Sequence, residues 1–514
     1  MFRNLWLASF ASNLGTWMHE VGAAWMMTGA TSDPRMVSLV AAAANLPIFL
    51  LALPAGAMAD LIDRRRLIIA TQLWLVLCTG VLAALTRAHV AGPWTLLAIT
   101  FLMAAGNALA WPAMQAIQPE TVEKAEVPAA VALGGIGFNL SRVIGPALGG
   151  WVVARSGPEA VFALNALSFF GVVGVLAAWR RPAMPATGPR EPMRQAMASG
   201  LRYVRHSPGL VAALVRVGTT ILAGSSLWAL LPLVGRNELK LTPAGYGALY
   251  GWFGLGAVAG GILLGRIRKR FSAGTIITAS AAGIAAQLGA LAVAREIHVV
   301  RAVMFGGGIA WTLAMISLNI AVLHLAPAWV RSRAAAIYLM VFTGAMSAGS
   351  ALWGVVAEHV GGPGPALGWA GLALAVSLPA QALWRLPDDA TVGDLSPSGH
   401  WPAHGGAEAG DPDHDAGPVL IVIEYRVPDA AAAEFATALR ALRRVRLRDA
   451  ATRWSHWRDM KDPTRHLESF VVESWAGHLR QHDRMTIADR AVEGRATAMH
   501  EGAEPPTVSH YLAG

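Results

Sequence analysis

A carboxylate, an imidazole, two guanidinium groups and several amides stand inside stretches otherwise built of alanine, leucine, valine and glycine. They are His19 and Glu20, Asn107 and Gln115, Asn139 and Arg142, Arg216, and Asn319. Charges and amides are costly in hydrocarbon, so each marks a place where a polar ligand or a proton is handled, unless it reaches a headgroup. Carboxylates and imidazoles take up and release protons near neutral pH when their surroundings are altered, so Glu20 with His19 could carry a coupling proton; at headgroup level they would not. Asn139 and Arg142 are three residues apart, and Trp111 and Gln115 four, so each pair shares a helix face that could line a cavity. Arg142 could equally pair with a carboxylate near a helix end.

Two further constellations rest on glycine. In Gly56-Ala-Met-Ala-Asp60-Leu-Ile-Asp-Arg64-Arg65-Arg66, the small Gly56 permits close helix approach, and Asp60 can accept hydrogen bonds from Arg64 or from a neighbouring helix N-terminus. Such a cluster could latch two bodies in one state, although a basic loop alone would place the same arginines there. In Gly145-Pro146-Ala-Leu-Gly149-Gly150, glycine gives tight packing and Pro146 a kink. Several tryptophans, among them Trp6, Trp25, Trp94, Trp151, Trp179 and Trp384, fall near span ends as an interfacial belt. Trp17, Trp111, Trp228 and Trp311 could line a cavity for a bulky, partly apolar molecule.

The elements that position these residues follow from hydropathy. The 514 residues are 54% hydrophobic and only 14% charged, with mean hydropathy +0.46, too apolar for an ordinary soluble protein. The apolar residues gather into runs of about 20, the length that crosses ~30 Å of hydrocarbon as helix. Spans are expected near 4–27, 36–59, 67–86, 94–117, 129–153, 159–179, 209–234, 244–265, 273–294, 299–323, 334–357 and 364–385. The first reads as a retained helix rather than a cleaved signal. The lone cysteine, Cys78, excludes an intrachain disulfide and reads as core packing.

Basic residues outnumber acidic ones 27 to 12 over 1–386, whereas the remainder carries 14 basic and 20 acidic. The basic excess sits on the loops that are cytoplasmic if the N-terminus is cytoplasmic, which leads to the expectation of an inner-membrane protein with both termini in the cytoplasm. It points to topology and lipid headgroups, not to nucleic acid. The longest internal connection divides the spans six and six. An internal repeat agrees: GAMADLIDRRR from Gly56 matches GILLGRIRKRF from Gly261, setting Lys269 and Arg270 opposite Arg64 and Arg65. GGWVVARSG from Gly149 matches WGVVAEHVG from Trp353 at nearly the same offset, setting Gln115 opposite Asn319.

The expected fold is therefore an all-α polytopic membrane protein of twelve transmembrane helices in two six-helix halves, 1–181 and 209–386, joined by a cytoplasmic loop 182–208. A polar linker, 387–417, leads to a soluble α+β domain of ferredoxin-like type, 418–514, with strands at VLIVIEYRV, 451–458, 467–475 and 508–512 and helices at 430–446 and 476–490. His478 and His482, four apart on the last helix, are too few for a metal and read as exposed; no metal or cofactor is expected.

At the Gly56 loop the sequence resembles the major facilitator superfamily, and Gly145–Gly150 resembles the GPxxGG motif associated with its exporters and antiporters. FRNLWLASFASNLGTWM, LPAGAMADLIDRRRL, NALAWPAMQAIQPETV, FNLSRVIGPALGGWVV and PAWVRSRAAAIYLM carry a closer resemblance, to its transmembrane secretion effector branch with the enterobactin-exporter-like proteins. The resemblance implies a proton-driven exporter of siderophores, drugs or other metabolites, with the gating role on Gly56, Asp60, Arg64, Arg65, Lys269 and Arg270. The chain departs from the branch at His19, where an amide is expected. The tail, EYRV…WSHWRD…ESFVVESWAGHLRQHDRMTIAD, resembles the dimeric α/β-barrel domain of antibiotic-biosynthesis monooxygenases, which implies a regulatory or dimerising module. The alternative is a membrane-tethered sensor or oxygenase using Tyr425, Trp457 or His482. No phosphate-binding loop is present in the sequence, which disfavours direct coupling to ATP.

Overall fold

A computed structural model describes residues 1–179, 193–384, 386–387, 393–399 and 416–513, leaving aside the side chains of 53, 56, 57, 59–61 and 193–196. Helix α1 runs Phe2–Ala30, α2 Pro34–Leu61, α3 Arg64–Arg87 and α4 Pro93–Ile117. Their starts are written locally. Asp33 caps α2 by accepting from the Arg35 N–H at 2.8 Å, Asp63 caps α3 by accepting from Arg66 at 2.9 Å, and prolines occupy the first position of α2 and α4, where no donor is missed. Helix α5, Val127–Ala178, is 52 residues long and breaks at Gly157 (φ 76°, ψ 168°). Only glycine adopts that backbone readily, and the following Pro158 has no N–H with which to carry the ladder across.

After α6 (Met193–Arg205) come α7 Pro208–Leu233, α8 Pro243–Ile267, α9 Ala273–Val293, α10 Ile297–His324, α11 Arg331–His359 and α12 Pro363–Leu383. Among the described residues ten helical stretches are long and apolar enough to cross a membrane. Dividing α5 at Gly157 and adding the 29-residue α1, whose Arg3 and Glu20 lower its hydropathy, gives the twelve expected spans. Large apolar residues such as Leu77, Ile262 and Val376 are exposed on the outer surfaces of these helices, where lipid rather than water satisfies them. Helix α1 packs on α5, α2 on α4, α3 on α4 and α5, and α9 on α12; α5 meets α8 across the two halves.

By packing, the chain forms two compact units. One comprises Met1–Thr187, Val215–Leu318 and Tyr338–Trp384; the other, Gly188–Leu214, Asn319–Ile337 and Arg385–Gly514. Helix α6 and the turn between α10 and α11 thus group with the tail. The stretch expected to be a loop between the halves holds α6, whose helical form comes from one apolar and one arginine-rich side.

The tail is a four-stranded antiparallel sheet of order β2-β3-β1-β4, with β1 Val419–Arg426, β2 Arg453–Arg458, β3 Arg465–Val472 and β4 Thr507–Leu512. Helix α13 (Ala432–Asp449) joins β1 to β2, and α14 (Trp475–Arg484) and α15 (Ile487–Thr497) join β3 to β4, the split β-α-β arrangement. Alternate residues of β1, Val419, Ile421, Ile423 and Tyr425, form a core with Phe435, Leu439, Leu442, Phe470 and Val472. The single helix expected at 476–490 is two helices. Thr486 interrupts it by capping α15 in a reciprocal box with Asp489.

Candidate functional site

Between the halves lies a cavity of about 180 Å³, walled by α1 and α5 on one side and α7, α8 and α10 on the other. Its lining includes Trp17, Asn139, Arg142, Trp228, Tyr250, Phe253 and Thr312. Asn139 and Arg142, three residues apart on α5, both line this space. The Arg142 guanidinium lies 5.7 Å from the centroid of the Trp17 ring, a cation over an indole face. Trp17 and Trp111 both meet Phe138 edge-on, at 6.2 and 5.8 Å. Opposite, Trp228 contacts Tyr250, Phe253 and Trp311 at 5.4, 5.1 and 5.8 Å.

Glu20 and His19 part company, because adjacent residues on a helix point about 100° apart. His19 is buried with its ring 4.7 Å from that of Phe162. Glu20 is solvent-accessible and lies within Coulombic reach of Arg142 and of the Tyr246 and Tyr250 hydroxyls. Those two hydroxyls are 3.0 Å apart. Tyr246 and Tyr250 were not singled out in the sequence; the signal was present, as two phenols four apart inside an apolar span. Asn139 donates to the Gly135 carbonyl one turn back, at 2.8 Å.

Other candidates fall elsewhere. Arg216 is buried but donates to the carbonyls of Gln381 and Trp384, capping the end of α12 as a cation does at a helix C-terminus. Asn107 is half-buried, Gln115 is exposed, and Asn319 is half-buried beyond the cavity lining.

The Gly145–Gly150 segment packs closely on two neighbouring helices at one end of the site. Gly145 and Gly149 press against α1, so that a β-carbon would meet Trp17 Cβ at 2.5 Å and Met18 Cα at 2.8 Å. Gly150 meets α8 at Gly247, and Gly254 of α8 meets Val143. At the same end Arg236 lies over the Trp25 ring at 5.1 Å and donates to the Trp25 carbonyl at 3.3 Å. Arg35 pairs with Glu358 between α2 and α11, and Ser347 donates to the Ala42 carbonyl at 3.1 Å.

This arrangement of a small, mostly apolar cavity with a few polar groups at the join of two six-helix bodies, closed at one end, is accompanied by a match of residues 1–514 to the transmembrane secretion effector family of major facilitator proteins. The chain belongs to that family. It is a multi-pass membrane transporter. It is 30% identical to the staphyloferrin A transporter of Staphylococcus aureus over 171 residues, 33% of this chain and 43% of that one. It is 26% identical to the enterobactin exporter EntS of Shigella boydii over 295 residues, 55% and 67% of the two chains. The chain thus spans less than half of the first relative's length. The fold is shared with the nucleoside transporter NupG, with a TM-score of 0.61 at 13% identity, covering 74% of this chain and 99% of that one.

Of the Gly56–Arg66 motif, the side chains of Gly56 and Asp60 lie outside the described residues. Arg64 pairs with Glu120 at 2.7 Å, and Arg65 donates to the carbonyls of Leu176 and Ala177 at 2.6 and 2.9 Å. These contacts tie the α2–α3 turn to the segment after α4 and to the end of α5, all within the first half. Their counterparts Lys269 and Arg270 are exposed in the α8–α9 turn.

In the tail, Tyr425, Trp457 and His482 do not converge. Tyr425 is buried and donates to Glu468 at 3.2 Å; burial and the Glu468 charge push its phenol well above the usual range. Trp457, paired with Leu467, is exposed on the opposite sheet face. Fully buried Glu468 also accepts from Arg446 and the Trp454 indole, at 3.2 and 2.9 Å, a satisfied core network rather than a reactive centre. The histidines read as exposed are not: His478 is buried, with its Nε2 3.1 Å from that of His482 and 3.0 Å from that of His510. The tail also grips its own unit. Arg448 lies over the ring of Tyr203 in α6 at 5.0 Å, and Arg484 over Trp329 in the α10–α11 turn at 4.4 Å. Tyr203 and Trp329 meet edge-on at 5.4 Å between them.

Proposed function

We propose that this transporter is a proton-driven exporter of a small organic molecule, working by alternating access between its two halves in the inner membrane with both termini cytoplasmic. The observation that carries the reading is the nearness, without an ion pair, of a carboxylate and a guanidinium, Glu20 and Arg142, beside a cavity between the halves whose one end is closed by glycine contacts. Glu20 takes the proton and Arg142 faces the cargo; rocking about the α5–α8 contact exposes the cavity to each side in turn. The GPxxGG segment and relatives named as a staphyloferrin A transporter and an enterobactin exporter support outward transport of a siderophore, drug or metabolite. The excess of arginine on one set of loops supports the orientation.

Inside-out vesicles test this. Uptake of at least one member of a panel of siderophores, dyes and antibiotics, driven by an imposed proton gradient and lost in Glu20→Gln, is the expected result. No proton-dependent uptake across the panel, with a control transporter active, overturns it. Asp60→Ala should cut uptake strongly while the protein remains inserted; full uptake in that variant removes the gating role of the Gly56–Arg65 motif.

The tail supports a second role, pairing with another copy. Its helix-free sheet face presents Leu420, Val422, Leu467 and Val471 flanked by the exposed Trp457 and Tyr511, an apolar surface suited to a like face. Trp457→Asp should shift the purified protein from dimer to monomer in light scattering; a monomeric wild type rules the pairing out.

A further inference from the structure

The cavity walls are chemically one-sided. Arg142 is the one full charge in the lining, and among the described residues it has neither a hydrogen bond nor a carboxylate within ion-pairing distance. A guanidinium held at mid-span without such a partner is costly, and five N–H donors remain to be satisfied. The Trp228 indole N–H, also in the lining, is buried without an acceptor among the described residues. Around these donors stand the rings of Trp17, Trp228, Tyr250 and Phe253. The neighbouring acid, Glu20, is near enough to feel the Arg142 charge but is not bonded to it.

From this geometry we infer that the cavity binds an organic anion carrying a planar, ring-sized apolar part, with the anionic group on Arg142 and the ring between Trp17 and Trp228, and that Glu20 competes with the ligand for Arg142. The inference deepens the transport reading by naming the class of cargo, and rests on it for the cavity's use. The cavity, of about 180 Å³, has room for at least one substituted ring beside Arg142. Carboxylates and phenolates suit the site because a guanidinium offers two parallel donors to them. A cation would leave Arg142 unsatisfied and add a like charge, and a neutral ring would leave its donors unpaired.

Binding to the purified full-length protein in nanodiscs tests this without requiring transport. The probes are radiolabelled salicylate, the uncharged salicylamide and the cation phenyltrimethylammonium, each measured against excess unlabelled compound. Wild type should hold salicylate at least about tenfold more tightly than either analogue. Arg142→Gln should abolish that preference, and Arg142→Lys should keep part of it, so that a poorly folding glutamine variant does not decide the matter. Glu20→Gln should tighten salicylate several-fold at neutral pH, which a merely structural Glu20 would not do. A preference for the amide or the cation, an anion preference that survives in Arg142→Gln, or weaker binding in Glu20→Gln overturns the inference. The two readings fail separately. Proton-driven flux with no anion preference sinks this one alone, and anion binding with no flux of any panel member sinks the transport reading alone.

Discussion

Gly150 of α5 and Gly247 of α8 stand face to face across the join of the two halves. A β-carbon on Gly150 would come within 3.0 Å of Gly247 Cα, and one on Gly247 within 3.1 Å of Gly150 Cα. Neither helix can carry a side chain there without moving its neighbour, so the backbones themselves make the seal.

A methyl group at this contact should therefore wedge the closed end apart. In a Cys78→Ser background with Thr28→Cys, a buried position of the same end, Gly150→Ala should raise labelling by a membrane-impermeant maleimide several-fold. Gly251→Ala, where the nearest atom, Ala147 Cβ, is 3.9 Å away, should leave labelling unchanged. Equal labelling in Gly150→Ala and its parent would show that the contact bears no load.

The Arg35–Glu358 pair bridges α2 and α11 at the same end but is about half exposed on both sides, so it is worth at most about 1 kcal/mol. Arg35→Glu should favour opening of this end by up to about fivefold, read by the same labelling, and the double exchange Arg35→Glu with Glu358→Arg should restore the parental rate. Failure of the exchange to restore it would mean that the charges act separately.

The stack of Arg448, Tyr203, Trp329 and Arg484 predicts how the tail is fastened to α6. Desolvated cation–π contacts contribute about 2 kcal/mol each. Tyr203→Ala removes one of these and the edge-on contact with Trp329, and should accelerate tryptic cleavage after Arg205 several-fold in the intact protein. Unchanged cleavage kinetics would contradict the clamp.

The tail should also lose stability in acid. Burial lowers the affinity of His478 for protons to a pKa of about 3, and His482 and His510 push the same way. The unfolded chain takes up a proton near pH 6.5 while the folded tail does not. Stability from this residue is therefore full above pH 6.5 and falls as pH drops toward 3, by at most about 1.4 kcal/mol per pH unit. Burial pushes Asp449 up to about 6, with the Arg448 charge opposing; its contribution has the opposite sign between pH 4 and 6 and offsets part of the loss. Comparing thermal melts of wild type and His478→Phe from pH 7 to 4 isolates the histidine: the gap between them should move in favour of the variant as pH falls. A constant gap would show that His478 is protonated in the fold.

Chain order alone settled what depends on periodicity and on contacts close in sequence. Runs of about 20 apolar residues fix twelve spans because hydrocarbon leaves the backbone no partner but itself. The three-residue step puts Asn139 and Arg142 on one face in any helix, and the alternation in Val419–Arg426 makes it a strand with one buried side. What depends on partners distant in sequence was decided only by the tertiary packing. Arg142 and Arg216 look alike as lone arginines in apolar helices, yet one faces a cavity beside Glu20 and the other caps α12, because each one's surroundings are supplied by helices far along the chain. His19 and Glu20 are neighbours in sequence but were divided by which helix each side packs against. Likewise His478 and His482 become two members of a three-histidine cluster only when β4 brings His510 to them. A local pattern fixes direction around a helix axis; only the assembled fold determines what lies in that direction.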